Sequence, residues 1–428
     1  MNLILKNANV YTDNSFRKKD IYIADNIVKF NAPLKTAADG LVFDFSDCIV
    51  IPGLTDVHVH LREPGFSYKE TIKSGTAAAA AGGYTSIFSM PNLNPVPDTI
   101  ENLKIQQDII KRDAVINVFP YAAITVGEKG ETLSDMESLS KEVHAFSDDG
   151  RGVQSAEMMK KAMLTAKKFN KIIAAHCEDN SLLNNGYIHD GKYAKEHGHR
   201  GISSASEYAQ IKRDIKLAKE TGCKYHVCHI STKESVELIR KAKADGVDIT
   251  CETAPHYLIL SDKDLQESGR FKMNPPLRDE SDRLALIEGI KDGTIDMIAT
   301  DHAPHSAEEK AKGLEKSNMG VVGIETAFSA MYTHFVKTNV ITLEKLIELM
   351  CINPNKRFCV PFESEISKTA NLTVFDLNIK YTVNPSTFLS MGRATPFEGD
   401  TLYGKCLLTV ANGKIAYENC SERKITNE

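Results

Sequence analysis

Between residues 52 and 300 the sequence repeats one pattern eight times: an apolar run of five to seven residues followed by a longer stretch of helical periodicity. The runs lie at 53–58, 84–90, 116–122, 143–147, 171–176, 224–229, 247–252 and 295–300. Short continuous apolar runs bounded by turn residues are the pattern of strands buried on both faces, and a helical connection lets successive strands run parallel. Eight such units are the number that closes a TIM-type (β/α)8 barrel, an α/β fold. Helices are expected at 68–81, 99–111, 154–169, 203–221, 232–244 and 280–291, with two more at 323–336 and 341–351. The alanine run 77–81 reads as a helix face packed closely on the barrel and ended by Gly82-Gly83.

Both flanks have a different texture. Short strands separated by Asn, Asp and Lys occur at 3–5, 8–11, 21–23 and 27–28, and strand texture returns at 372–375, 381–383, 406–410 and 414–417, with Asn412-Gly413 as a hairpin turn. Asn353-Pro354 and Pro361 mark a boundary between the two textures. The expected organisation is a barrel over 52–364 and a small composite β-sandwich built from both termini, 1–51 plus 365–428. A chain of 428 residues has room for both.

Several function classes are disfavoured by composition. A net charge of −5 leaves no electrostatic footprint for nucleic acid or an anionic membrane surface. No segment approaches the roughly 18 apolar residues that cross a bilayer, and the N-terminus lacks the basic start of a secretory signal, so a cytoplasmic location is expected. The nine cysteines show no Cys-x-x-Cys spacing and read as reduced thiols, with Cys177 and Cys228 as packing residues.

The ends of the runs carry the chemistry. In order they give His58 and His60, Met90-Pro91-Asn92, Ser147-Asp148-Asp149-Gly150, His176, His229, Glu252 with His256, and Asp301-His302-Ala303-Pro304-His305. In a barrel these ends converge on one rim. His58 and His60 are two apart, so both imidazoles leave one face of a strand and can meet one metal ion. The other such pair, His197 and His199, lies in a polar segment with no strand before it and reads as a solvated loop. Four imidazoles and at least two carboxylates on one rim are costly to bury without a bound cation, and this donor set favours zinc or a similar divalent ion. Six candidate ligands exceed what one zinc uses, which indicates two ions sharing a carboxylate. Asp148 and Asp149 point to opposite faces, so one of them reaches the metals.

These motifs resemble those of the dihydroorotases, in the cyclic amidohydrolase superfamily. The matching residues are Asp56-Val-His-Val-His-Leu-Arg62, Met90-Pro-Asn92, Phe146-Ser-Asp-Asp-Gly150, His176, His229, Glu252-Thr-Ala-Pro-His-Tyr257 and Ala299-Thr-Asp-His-Ala-Pro-His305 with Lys310. The resemblance implies that His58, His60 and Asp301 hold one zinc and His176 with His229 the other. Dihydropyrimidinases, hydantoinases and allantoinases bridge the two ions with a carboxylated lysine, but residues 143–151 contain none. Similarity to the aspartate-bridged type selects Asp149 as the bridge and leaves Asp148 beside it. The implied reaction interconverts N-carbamoyl-L-aspartate and (S)-dihydroorotate in pyrimidine biosynthesis, with Asp301 carrying the proton. Arg62, Asn92 and His305 are implied to hold the substrate carboxylate, Asn274 with the Met319-Gly320 backbone the pyrimidine portion, and His60 is implied to touch the substrate as well as the metal. Segment 305–320 begins with a possible capping box at Ser306 and Glu309 and reads as a βα loop or a lid. Two alternatives are a hydantoinase-type amidase acting on a neutral ring, against which Arg62 and the missing lysine argue, and a non-catalytic scaffold for aspartate transcarbamoylase. A homodimer and association with a transcarbamoylase are both compatible with the resemblance.

Overall fold

A computed structural model describes residues 2–24, 26–31, 40–360, 366 and 369–425. The N-terminal flank forms β1 (Leu3–Thr12), β2 (Ser15–Ala24), β3 (Ile27–Phe30), β4 (Leu41–Asp44) and β5 (Ile49–Pro52). The β1–β2 hairpin turns on Asp13 and Asn14, whose φ values of 51° and 55° supply the two left-handed positions of a tight two-residue turn.

Each of the eight apolar runs carries a strand. They are β6 (Leu54–Val59), β7 (Tyr84–Ser89), β8 (Asn117–Pro120) continued by β9 (Ala122–Ala123), β10 (Ala145–Ser147), β11 (Ile172–Ala175), then, after the two-residue pair β12 (Ile188–His189) and β13 (Gly201–Ile202), β14 (Lys224–Val227), β15 (Ile249–Thr253) and β16 (Met297–Ile298). Two parallel sheets, β6-β7-β8 and β9-β10-β11-β14-β15-β16, make up the ring. Between β8 and β9 the third strand is interrupted at Tyr121, whose amide still donates to Ser89 O at 3.0 Å. The ring closes where Val59 bridges His302 in parallel and the His60 amide donates to His302 O at 2.9 Å. Buried Asp56 reinforces the closure by accepting from the Thr300 amide and, at 2.5 Å, from its hydroxyl.

Helices Ile72–Ala81, Ile100–Asp113, Ala156–Lys168, Ala205–Thr221, Lys233–Ala244 and Glu280–Lys291 follow their strands. Side chains of Thr71, Thr99, Ser155, Thr232 and Asp279 cap five of them by accepting from the orphan amides of the first turn. Ala78, Ala79 and Ala80 are fully buried, and a Cβ added at Gly82 would lie 2.2 Å from Ile324 O. One apolar core joins the strands to these helices, while a second, including Val57, Phe88, Tyr121, Ile172, Ala174 and Met297, draws on strands across the ring.

From the C-terminal flank come β17 (Leu372–Thr382), β18 (Thr401–Ala411), β19 (Lys414–Glu418) and β20 (Lys424–Ile425). β17 pairs antiparallel with β5, so one nine-stranded sheet takes strands from both termini, in the order β19-β18-β17-β5-β1-β2-β3 with β4 and β20 off that path. Leu3, Leu5, Phe43, Val50, Leu372, Val374 and Leu408 share its core. The Asn412-Gly413 turn has φ of 51° and 72°, as its hairpin requires.

Two local expectations change. Asn353-Pro354 does not end the helical texture: Glu348–Ile352 runs directly into a helix over Asn353–Phe358, where proline occupies a first-turn position that needs no amide donor. The boundary expected at Pro361 and the start of the second flank at 365 lie outside the described residues. Around His197 and His199 the chain forms a short helix, Lys192–His197, ended by Gly198 with φ of 73°. Among the described residues no helix is long and apolar enough to cross a membrane.

Candidate active site

His58, at the end of β6, and His60, just beyond it, converge although the β6–β7 register shifts between Asp56 and Val59. Their ring centroids lie 5.4 Å apart. His58 Nδ1 meets Glu252 Oε1 at 2.8 Å, and His60 Nδ1 meets Asn92 Oδ1 at 2.8 Å. Both partners are acceptors, because Asn92 turns its Nδ2 to Asp149 Oδ2 at 3.2 Å. Each imidazole therefore carries its proton on Nδ1 and aims the bare Nε2 lone pair inward.

Those lone pairs face carboxylates. His58 Nε2 is 3.4 Å from Asp149 Oδ1 and 3.6 Å from Asp301 Oδ1, while His60 Nε2 is 3.1 Å from Asp301 Oδ1 and 3.5 Å from Asp149 Oδ2. Across the rim, His176 Nδ1 and His229 Nε2 are 3.0 Å from each other and 3.7 and 3.6 Å from Asp149 Oδ1. His58 Nε2 and Asp149 Oδ1 are buried with no hydrogen-bond partner among the described residues. Acceptors turned toward acceptors in a water-poor rim call for a cation between them. Ligand atoms sharing an ion through bonds of about 2.0–2.2 Å sit about 3.3 Å apart in a tetrahedral arrangement, close to the spacings seen here. The cluster is built as a metal site.

The backbone is strained where it presents these groups. Arg62, His229 and Asp301 have φ of 59°, 33° and 46°, a region that costs non-glycine residues about 1–3 kcal/mol each. Burial pushes the Asp301 carboxyl up, but the adjacent imidazoles of His60, His58 and His229 outweigh it and hold the group below the usual carboxylate range.

Asp148 points elsewhere. It accepts from the Ile124 and Thr125 amides at 2.8 and 3.1 Å and from the Thr125 hydroxyl, so it locks the loop after β9, and burial pushes its carboxyl up to about 6. His302 also turns away, toward the Gly323 amide at 3.3 Å and Ser390 Oγ at 3.4 Å. Buried His256 has no hydrogen-bond partner at Nε2 among the described residues, and burial pushes its pKa down to about 4.

A cavity of about 220 Å³ opens onto the cluster, lined by Arg62, Asn92, Asn274, His305, Met319 and Gly320 together with His60, Asp149, His176, His229 and Asp301. Arg62 donates through Nε to Pro304 O at 3.1 Å, and among the described residues no carboxylate pairs with its guanidinium. An arginine held beside a cavity in this way is free to pair with an anion. His305 Nε2 donates to Met319 O at 2.8 Å, while burial, with Arg62 and Lys69 nearby, pushes its pKa down to about 3.

The loop over 305–320 has the Ser306–Glu309 capping box and two short helices, Ala307–Lys310 and Gly313–Lys316. Its centre is Lys310, whose ammonium donates to the carbonyls of Lys272, Asn318 and Gly320 at 3.0, 2.7 and 2.6 Å. Sequence reasoning missed two groups behind the rim. His226, fully buried, meets Glu252 Oε2 at 3.0 Å, so Glu252 ties it to His58. Glu178 meets Asn274 Nδ2 at 3.0 Å and lies 3.6 Å from His176 Nε2. Its signal was a carboxylate two residues beyond a strand-end histidine.

Known proteins resemble this arrangement throughout its length. A family model described as dihydro-orotase-like matches residues 47–235. The chain is 51% identical over 417 residues to the dihydroorotase of Fusobacterium nucleatum subsp. nucleatum, covering 97% of this chain and 98% of that one. It is 47% identical over 422 residues to the dihydroorotase of Bacillus thuringiensis (strain Al Hakam), covering 98% and 99%. Among solved structures, the L-hydantoinase (dihydropyrimidinase) from Arthrobacter aurescens superposes with a TM-score of 0.85 at 25% identity, covering 97% and 96%. The D-hydantoinase (dihydropyrimidinase) from Thermus sp. shares the fold with a TM-score of 0.82 at 23% identity, covering 97% and 95%.

Proposed function

The chain belongs to the dihydroorotase family, and from that premise we propose that it interconverts N-carbamoyl-L-aspartate and (S)-dihydroorotate in pyrimidine biosynthesis. The observation that carries the reading is Arg62, without a carboxylate partner among the described residues, in the same cavity as the imidazole–carboxylate cluster. A ring amide that also bears a carboxylate satisfies both halves of such a site. A neutral hydantoin leaves the guanidinium without its anion.

In this reading His58, His60 and Asp301 would hold one zinc ion and His176 with His229 a second, with Asp149 shared between them. When bound, zinc supplies Lewis-acid polarisation of the scissile carbonyl and makes a water more acidic. Arg62 grips the substrate carboxylate, assisted by Asn92 and His305. Asn92 also keeps the donors aligned, since it bonds His60 Nδ1 and Asp149 Oδ2 at once. Asp301 takes the proton released as water adds to the ring carbonyl and returns it to the ring nitrogen as the C–N bond breaks. Its Oδ1 faces the two imidazoles, which leaves Oδ2 for that transfer. Asn274 and the Met319-Gly320 backbone contact the ring.

Turnover by the purified, zinc-loaded chain, compared on dihydroorotate and hydantoin, tests the proposal. A strong preference for dihydroorotate is expected; equal use of the neutral ring would overturn the assignment of Arg62 and the substrate.

A further inference from the structure

Asn274 lines the cavity with a side chain whose two ends are chemically opposite. Its Nδ2 donates to Glu178 Oε1 at 3.0 Å, and its Oδ1 is shielded from solvent with no donor among the described residues. The other Glu178 oxygen, Oε2, lies 3.6 Å from His176 Nε2. His176 turns Nδ1 toward His229 and Asp149, so the proton of a metal-binding imidazole there sits on Nε2. Glu178 therefore accepts from the amide of Asn274 and faces, just beyond hydrogen-bond distance, the ring N–H of His176, which has no hydrogen-bond partner among the described residues. A carboxylate accepts on both oxygens, whereas a glutamine can accept on only one.

We propose that Glu178 is a positioning residue that fixes the hydrogen-bond polarity of Asn274, so that the cavity presents Oδ1 and reads a ligand N–H at that point rather than a carbonyl. The inference rests on the dihydroorotase reading and deepens it. Dihydroorotate and N-carbamoyl-L-aspartate alternate N–H donors with carbonyl acceptors along the ring or ureido unit, and an asparagine free to flip would accept either register. Held by Glu178, it admits one.

A polarity swap tests the arrangement. In Glu178→Gln one of the two donors loses its acceptor: with the new carboxamide oxygen toward His176, the new amide meets Asn274 and drives the flip. In Asn274→Asp a second carboxylate faces Glu178. The double variant Glu178→Gln/Asn274→Asp restores the bond between the two positions with the roles exchanged. Its introduced glutamine donates to the introduced aspartate and turns its oxygen to His176, which leaves one aspartate oxygen toward the ligand. Zinc content, thermal unfolding, KM and kcat for dihydroorotate are measured on all four proteins. Each single change should raise KM about tenfold or more, the scale of a buried polar group left without its partner, with kcat and zinc content changed much less. The double variant should return KM to within about threefold of wild type. A Glu178→Gln enzyme with unaltered KM, or a double variant no better than the worse single, overturns the inference. Should Glu178→Gln not fold, Asn274→Asp against the double variant decides on the same criterion. A wild-type protein that does not turn over dihydroorotate overturns the proposed function instead.

Discussion

His58-x-His60 and His197-x-His199 have the same spacing, and each pair has a carboxylate within reach, yet their environments are opposite. In the second pair His199 receives the Tyr187 hydroxyl at Nδ1 at 2.7 Å and donates from Nε2 to Glu267 at 2.8 Å. The His197 ring stacks on Tyr193, with centroids 4.0 Å apart, and bonds the Tyr193 carbonyl. The Glu267 side chain is 59% exposed, so water completes the solvation. At the rim, the outer nitrogens of His58 and His60 are tied to Glu252 and Asn92, and the inner ones meet buried carboxylate oxygens. Spacing alone does not make a ligand pair. The proton fixed on the far nitrogen, together with burial of what the near nitrogen faces, does.

The sharpest way to break this contrast is to delete each pair. His58→Ala should cost on the order of 10⁴-fold or more in turnover, because both the Lewis acid and the activated water depend on the metal. His197→Ala and His199→Ala should leave zinc content and kcat unchanged. Elemental analysis and kinetics on the same preparations check both, and zinc lost from His199→Ala would erase the distinction.

Asp301→Asn separates holding the metal from moving the proton. A carboxamide retains one coordinating oxygen but accepts no proton near neutral pH, so turnover should fall by about 10²–10⁴-fold while zinc is largely kept. A variant retaining zinc and more than roughly a tenth of wild-type kcat would move the proton role to another residue. Buried His256, with its free Nε2, would be next, and the outward-turned His302 would not.

Arg62→Lys should cost about 10²-fold in kcat/KM, because a point charge does not reproduce the planar fork on a carboxylate. Near wild-type kinetics would remove the anion from the cavity's logic. Smaller again is the proton balance of the reaction: ring closure turns a dianion into a monoanion and takes up one proton, so the apparent equilibrium should shift toward dihydroorotate about tenfold per unit fall in pH, or about 1.4 kcal/mol. Product ratios at pH 6, 7 and 8 measure this, and a flat ratio excludes the reaction. At the small end, His199→Gln should change stability by less than about 1 kcal/mol, as expected of a pair with an exposed partner, and chemical denaturation reads it.

The barrel was legible because its strands are covered on both faces and so appear as continuous apolar runs; the turn Asn412-Gly413 was legible because its backbone demands those residues. Met136–Leu139 and the pair β12–β13 escaped notice since elements of four and two residues have too little periodicity of their own. The residues that converge on the rim could be read from their type and place at strand ends. Glu178 showed only its place two residues past a strand-end histidine, and His226 showed nothing, because a residue's type does not reveal which group it will face once distant strands meet. Asn274 was named from resemblance, but the direction of its amide depends on Glu178, 96 positions away in the chain.

The bridge from Val59 to His302 also has a meaning in time. His58 emerges early in synthesis and Asp301 follows 243 residues later (301 − 58), a wait of roughly 10–50 s at ribosomal speeds of about 5–20 residues per second. Until the last strand closes beside the first, the donors that face each other across the rim are not assembled. An incomplete chain therefore holds scattered histidines instead of a centre, and the full donor set exists only once His302 has been made and has met Val59.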